Sequence, residues 1–327
     1  MIGYVVIGRN EGERLIGCFK SLIDAGVNPE WVVYVDSGST DGSVAVAEEN
    51  DFRTHLLDTS APFTAARARN AGFSDLNDAY GEGLQYVQFL DGDCLLADAW
   101  VKRAIEFIED KPDVAIVCGQ RSELHPAASV YNQLCDWEWN TPIGAARHCG
   151  GDFLVRAAVF LEVEGFNPKL IAGEEPELCV RLRRAGWQVF RIDANMTYHD
   201  AAITDFKSWA KRCIRGGYAF ALGASIHGAT KERHFVRETA RATLWGLAFP
   251  ILSLLLIAIS PKMVSFVAGL LAAKLIWTYL RAPCPTGEHS WVYASSLLIS
   301  NVLEGIGVAK FAVDSLLNND SEIIEYK

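Results

Sequence analysis

Up to about residue 240, short runs rich in β-branched and aromatic residues alternate with stretches whose apolar positions recur at helical spacing. The runs at 4–7, 31–35, 86–90, 114–118 and 187–192 predict strands. Between them, Leu15, Phe19 and Leu22 form one helical stripe, and Val101, Ile105 and Ile108 form another. Asp41 can cap a helix running to about Asn50, and 65–79 reads as helical. This alternation predicts an α/β unit with a mainly parallel sheet covered by helices on both faces. Ligands of such sheets bind beyond the carboxyl ends of the strands, so the polar residues there matter most.

The pattern changes near residue 242. Positions 242–261 form a 20-residue window without a charge, long enough to cross a bilayer. A second apolar stretch, 263–280, is broken only by Lys274, which could face a partner helix or snorkel. A third, 291–303, is shorter and leads to Glu304 and Lys310. The expected division is therefore a domain over 1–230 and a membrane-associated helical region over 231–327. Spans are expected near 243–260 and 263–280, with an interfacial or re-entrant helix near 291–317. Buried helices of a large soluble core are the alternative. Lys231, Arg233, Arg237 and Arg241 flank the first span and, by the positive-inside rule, place the N-terminal domain on the cytoplasmic side of an inner membrane.

Composition narrows the classes. Half of the 327 residues are apolar, which excludes disorder. A net charge of −10 argues against a partner nucleic acid. Eight cysteines without a CxxC pair indicate neither a zinc knuckle nor a disulfide framework. The apolar run at 1–7 is too short for a secretory leader.

Three polar turns close three predicted strands: Gly8-Arg9-Asn10-Glu11, Asp36-Ser37-Gly38-Ser39-Thr40-Asp41-Gly42-Ser43, and Asp91-Gly92-Asp93. Each alone is an ordinary turn composition. Together they would converge on one crevice. Asp91 and Asp93 are the sharpest pair. At i and i+2 they can face one side of an extended backbone, and hard divalent cations take such oxygen ligands. A plain Asp-Gly turn is the alternative.

The residues 2–220 resemble glycosyltransferase family 2, with the GT-A fold. Five motifs occur in the family's order. The opening strand ends in Asn10-Glu11. The run from Asp36 to Gly42 resembles the "DDGSTDG" turn. Ala68-Arg69-Asn70-Ala71-Gly72 resembles the "ARNxG" helix, and Asp91-Gly92-Asp93 the DxD motif. Gly173-Glu174-Glu175-Pro176, followed by Glu177, Arg181 and Arg183, resembles the "ED" acceptor-site helix. The resemblance implies a nucleotide-sugar donor, expected to be a UDP-sugar, and Mg²⁺ or Mn²⁺. Asp36 would meet uracil or ribose, with Glu11 and the backbone near Gly8 holding the nucleoside. Arg69 and Arg67 would sit near the donor. Asp93 would bind the metal, Asp91 would touch ribose or the metal's water, and His199 could be a third ligand. Glu175 would be the base, with Glu174 second.

Two positions depart from the family pattern. Ser37 replaces the second Asp of the turn, and Glu174-Glu175 replaces Glu-Asp, so the base assignment could slip by one residue. Three carboxylates at a helix start also suit its dipole. Trp137 and Trp139 could stack on an acceptor sugar or simply pack. Trp209, Lys211, Arg212 and Arg215 do not reproduce the processive Gln-x-x-Arg-Trp motif; they could meet a diphosphate or lipid headgroups, or form a solvated face.

The expectation is thus a membrane-attached, metal-dependent, inverting hexosyltransferase. Its partners would be a saccharide or lipid-linked saccharide acceptor, membrane lipids and other glycan-assembly membrane proteins. A polyprenyl-phosphate glycosyltransferase is the first rival and a non-catalytic membrane scaffold the second. A dehydrogenase is disfavoured because no GxGxxG follows the first strand.

Overall fold

The computed structural model describes residues 1–58, 60–282 and 288–317. The chain divides into two compact units, Met1–Ala202 and Ile203–Lys327. The boundary expected at residue 230 lies beyond the division by packing, which assigns the helix Phe206–His227 to the second unit.

The first unit is built on one mixed sheet. Its strands in chain order are β1 (Ile2–Gly8), β2 (Val32–Asp36), β3 (Arg53–Leu56), β4 (Tyr86–Asp91), β5 (Cys94–Leu96), β6 (Val114–Glu123), β7 (Gly144–Ala145), β8 (Phe153–Arg156) and β9 (Gln188–His199). The sheet order is β3-β2-β1-β4-β8-β6-β9-β5, with β7 paired to β9. The half β3-β2-β1-β4 is parallel, as the strand–helix alternation implies. Beyond it β8 runs antiparallel to both β4 and β6, which makes the sheet mixed.

Helices α1 (Glu13–Asp24), α2 (Ser43–Glu49), α3 (Ala65–Tyr80), α4 (Trp100–Asp110), α5 (Val130–Trp139), α6 (Ala157–Glu162) and α7 (Glu174–Arg184) complete the unit. The α1 stripe is buried as its spacing predicts: Leu15, Cys18, Phe19 and Leu22. Phe19 meets Tyr34 and Phe52 edge-on, with ring centroids 5.5 and 4.9 Å apart. Phe89, Phe153, Phe160 and Phe166 form a second aromatic cluster. Fully buried Trp100 is kept polar-satisfied by donating to Gln88 Oε1 at 2.8 Å.

The α3 helix shows why the Ala-Arg-Asn-x-Gly pattern is a unit. Thr64 caps it, accepting from Arg67 N at 3.1 Å. Asn70 clamps a distant segment, donating to Phe166 O at 2.8 Å and accepting from Phe166 N at 2.9 Å. Gly72 lets the helix touch the sheet: a Cβ there would lie 2.5 Å from Val5 Cγ1 and 2.9 Å from Val35 Cγ2.

In the second unit, α8 (Phe206–His227) and α9 (Val236–Ala242) lead through a π-helical turn (Thr243–Ala248) into α10 (Phe249–Ile259). Then come α11 (Met263–Tyr279) and α12 (Glu288–Leu317). Two helices are long and apolar enough to cross a membrane, Val236–Ile259 and His289–Leu317. The second lies on the stretch expected to be interfacial, while α11, expected as a span, has 17 residues. The reason is charge pairing: Glu304 lies 2.7 Å from Arg241, and Lys310 lies 3.2 Å from Asp314. Charges that read as an end are neutralised within the unit, and the helix continues for 30 residues.

A substitution tests the close helix–sheet approach. Gly72→Ala forces Val5 and Val35 to move, and the expected cost is about 1–3 kcal/mol. It is read as a lower unfolding midpoint of the full chain; an unchanged midpoint would mean that α3 does not seat as described.

Candidate active site

The carboxyl ends of β1, β2 and β4 lie side by side, with Gly8 opposite Asp36 and Ile7 opposite Asp91. The first two ends form a tied pair of turns. Asn10 N donates to Ser39 Oγ at 2.9 Å, Thr40 N donates to Asn10 Oδ1 at 2.7 Å, and Gly12 N donates to Asp41 Oδ2 at 3.2 Å. Ser43 supplies the first hydrogen bond that holds the Asp41 carboxyl below its ordinary range, with its backbone and that of Gly12 adding to it. Asp36 is buried and accepts from Tyr34 Oη at 3.0 Å and from the amides of Gly38 and Ser39 at 2.9 and 2.8 Å. Its carboxylate therefore shapes the turn as well as facing the crevice. Glu11 pairs with Arg14 at 2.6 Å. Gly8, Glu11 and Asp36 are thus brought together.

Arg67 does not join them. Its guanidinium donates to the carbonyls of Ala61, Pro62 and Asp58, so it ties down the segment before α3. Arg69 is buried and reaches three carboxylates from two parts of the chain, the end of β4 and the start of α7. It donates to Asp91 Oδ1 at 2.7 Å and to Glu174 Oε1 at 3.1 Å, and it lies 3.1 Å from Glu175 Oε1. Phe166 backs the guanidinium at 5.5 Å. Burial opposes the charge on Arg69, but Asp91, Glu175 and Glu174 outweigh it and hold it firmly protonated.

Asp91 and Asp93 part company. Burial would raise the Asp91 carboxyl, yet Arg69, Arg121 and His199 hold it well below the usual carboxylate range. Asp93 meets a different partner: His199 Nε2 lies 3.1 Å from its Oδ1. His199 ends β9, a strand longer than the 187–192 run predicts. Burial, then Arg121, push its imidazole down to about 4, so it is neutral at physiological pH. Its Nδ1 is buried with no hydrogen-bond partner among the described residues.

Two residues at the centre were not singled out from the sequence. Asp152 is fully buried, accepts from Asp91 N at 3.0 Å and from Thr197 Oγ1 at 2.8 Å, and pairs with Arg121 at 2.6 Å. Arg121 also lies 3.8 Å from Asp91 Oδ2 and stacks over Trp139 at 5.6 Å. Trp139 in turn sets its edge against His199 at 4.7 Å, so it packs on the site. The signal was the Gly150-Gly151 pair: a Cβ on Gly151 would lie 2.5 Å from Arg69 Nη2 and 2.6 Å from Asp91 Oδ2.

At the start of α7 the two glutamates differ. The Glu174 side chain is 6% exposed and accepts from Arg69; that of Glu175 is 16% exposed. Burial, then the Glu174 charge, push Glu175 up to about 7 against the pull of Arg69. Glu177 is used differently, accepting twice from Arg181 Nε at 3.0 Å. Lys211, Arg212 and Arg215 lie on α8 in the other unit.

The donor chemistry around Asp93 suits a divalent cation. Ligand atoms of Asp93, Cys94 and His199 lie within 4.8 Å of one another. A carboxylate beside a neutral imidazole with an orphaned buried nitrogen is a hard-to-borderline donor set. Asp91 and Asp152 also converge, but Arg69 and Arg121 already neutralise them.

A parallel sheet whose first strand ends carry a tied acidic turn, beside an Asp-x-Asp site and a glutamate-tipped helix, defines the GT-A class of glycosyltransferase fold. Residues 4–150, about 45% of the chain, match the family model described as glycosyl transferase family 2. A mannosyltransferase from Pyrobaculum calidifontis, solved with GDP-Man and Mn²⁺, is similar at 16% identity and TM-score 0.57 over 97% of this chain and 87% of that one. S. aureus TarS 1-349, solved with UDP-GlcNAc, is similar at 14% identity and TM-score 0.51 over 97% and 92%. Against a longer S. aureus TarS chain (15% identity, TM-score 0.49) the match covers 73% of this chain and 43% of that one. No curated protein matches the sequence.

The cation site can be tested by direct binding. Asp93→Asn is expected to weaken Mn²⁺ binding about 10–100-fold, followed by the loss of the free-ion signal in electron paramagnetic resonance titrations. Equal affinity in the variant and the parent would remove Asp93 as a ligand.

Proposed function

We propose that the chain transfers a sugar from a nucleotide-diphospho-sugar, a UDP-sugar by preference, to a hydroxyl of a glycan or lipid-linked saccharide, with inversion at the anomeric carbon. The observation that carries this reading is Glu175: a partly exposed carboxyl at a helix start, beside Arg69, with its proton affinity raised to about 7. A general base works best with a pKa near the operating pH. The two similar structures with bound donors were solved with GDP-Man and UDP-GlcNAc, which supports a nucleotide-sugar donor.

The steps follow from the residues. Gly8, Glu11 and Asp36 lie where the nucleoside would rest, beyond the ends of β1 and β2. Asp93 and His199 would hold Mg²⁺ or Mn²⁺, whose charge offsets that developing on the departing diphosphate. Glu175 takes the proton of the acceptor hydroxyl as that oxygen bonds to the anomeric carbon and the bond from that carbon to phosphate oxygen breaks. Arg69 keeps Glu175 and Glu174 at fixed positions and lets Glu175 release the proton afterwards.

Glu175→Gln keeps the shape and removes the base. Transfer is expected to fall about 10²–10⁴-fold, with donor affinity nearly unchanged. In the parent, transfer should rise roughly tenfold per pH unit below about 7 and level off above it, because the carboxylate forms as pH passes its raised pKa. That limb should vanish in Glu175→Gln. A larger loss in Glu174→Gln would shift the base by one residue. Near-normal transfer by Glu175→Gln would favour a phosphate acceptor, which needs no base.

The helical unit supports attachment to the cytoplasmic membrane, with the catalytic unit on the cytoplasmic side. The apolar helices leave Leu254, Ile259, Phe266 and Leu280 more than half exposed, and basic residues flank their start. The full chain should sediment with membranes after an alkaline wash and require detergent for release. A fully soluble chain would overturn the attachment.

A further inference from the structure

Lys274 is the one charge between Met263 and Leu280. Its ammonium rests 5.0 Å from the centre of the Trp245 ring, and among the described residues it has no carboxylate or hydrogen-bond partner. The charged group facing it is another cation, Arg241. Arg241 is itself occupied, donating to Asn301 Oδ1 at 2.9 Å and pairing with Glu304 at 2.7 Å. Seven residues beyond Lys274, Arg281 stacks on Trp277 at 3.9 Å. Glu304 thus answers Arg241, and among the described residues no carboxylate meets Lys274.

The aromatic setting fixes the level. Trp245 and Trp277 carry the cations, and Tyr279 stacks on Trp291 at 4.4 Å. Indole and phenol rings gather where hydrocarbon meets headgroups, and long basic side chains reach to that level. An isolated ammonium among apolar helices attracts the anion available there, which is phosphate. The Arg241–Glu304 pair holds the floor of this place and leaves the charge on Lys274 uncompensated.

We propose that Lys274, on Trp245 and facing Arg241, binds the phosphate of an anionic phospholipid headgroup. This rests on the membrane attachment proposed above. The ion pair beside it gives the site its sign: the two cations Lys274 and Arg241 against the one carboxylate of Glu304.

The test uses the full chain in detergent micelles, with short-chain phosphatidylglycerol and short-chain phosphatidylcholine as probes. Lys274→Met is expected to weaken phosphatidylglycerol binding about fivefold, the effect of one basic residue at a membrane surface. Phosphatidylcholine binding should stay unchanged, and Lys274→Arg should restore the preference. Glu304→Gln frees Arg241 and should strengthen phosphatidylglycerol binding; this gain decides the matter should Lys274→Met fold poorly. Equal phosphatidylglycerol affinity in parent and Lys274→Met, or no gain in a folded Glu304→Gln, would overturn the site. Displacement of the lipid by millimolar inorganic phosphate would overturn the lipid source. A chain that needs no detergent fails the attachment reading instead, by a separate observation.

Discussion

One buried guanidinium organises the catalytic unit. Arg69 leaves α3 with almost no exposure and meets the end of β4 and the first turn of α7 at once. Burying such a cation is costly unless its partners are close and well aimed, and removing either side of the pair leaves an unmatched charge. The surroundings are therefore built to hold it. Asn70 fixes the segment at Phe166, Gly72 seats the helix on β1 and β2, and Gly151 lets the backbone pass beside Arg69 and Asp91 where a side chain would collide. The family motif on α3 is the local part of this one constraint.

The charge count explains why neighbouring carboxylates behave differently. Arg69 and Arg121 face Asp91, Asp152, Glu174 and Glu175, so two cations meet four anions and two negative charges remain. Asp91 is served by both arginines and stays ionised. Asp152 has Arg121 and two further donors. Glu175 shares Arg69 with two competitors and sits beside Glu174, so it takes up the strain by binding a proton more readily.

Much of this was legible in the sequence, and the missing parts share a cause. The parallel strands, the α1 stripe and the turn at Asp36 are local patterns, and each forms where its periodicity predicts. The entry of β8 between β4 and β6 depends on pairing with strands more than thirty residues away in the chain, so no local signal announces it. Arg121 and Asp152 read as single charges, because their partners are distant in sequence. The different partners of Asp91 and Asp93, Arg69 for the first and His199 for the second, are also set by residues distant in the chain. Likewise Glu304 reads as a helix end until Arg241 is known to neutralise it.

The division of labour between the two aspartates then has a physical reading. An aspartate that already carries two guanidinium partners gains little from a cation, since its charge is spent on holding Arg69 and Arg121. Asp93, beside a neutral imidazole, offers an oxygen of the kind the proposed divalent ion would take. The Gly92 amide, donating to Ile7 O at 2.8 Å, pins the turn between them, so both carboxylates leave from a fixed point. One joins the arginine cluster that also meets Glu175, and the other meets His199. In the proposed reaction a single Asp-Gly-Asp turn therefore links the cluster around the base to the group that would hold the metal.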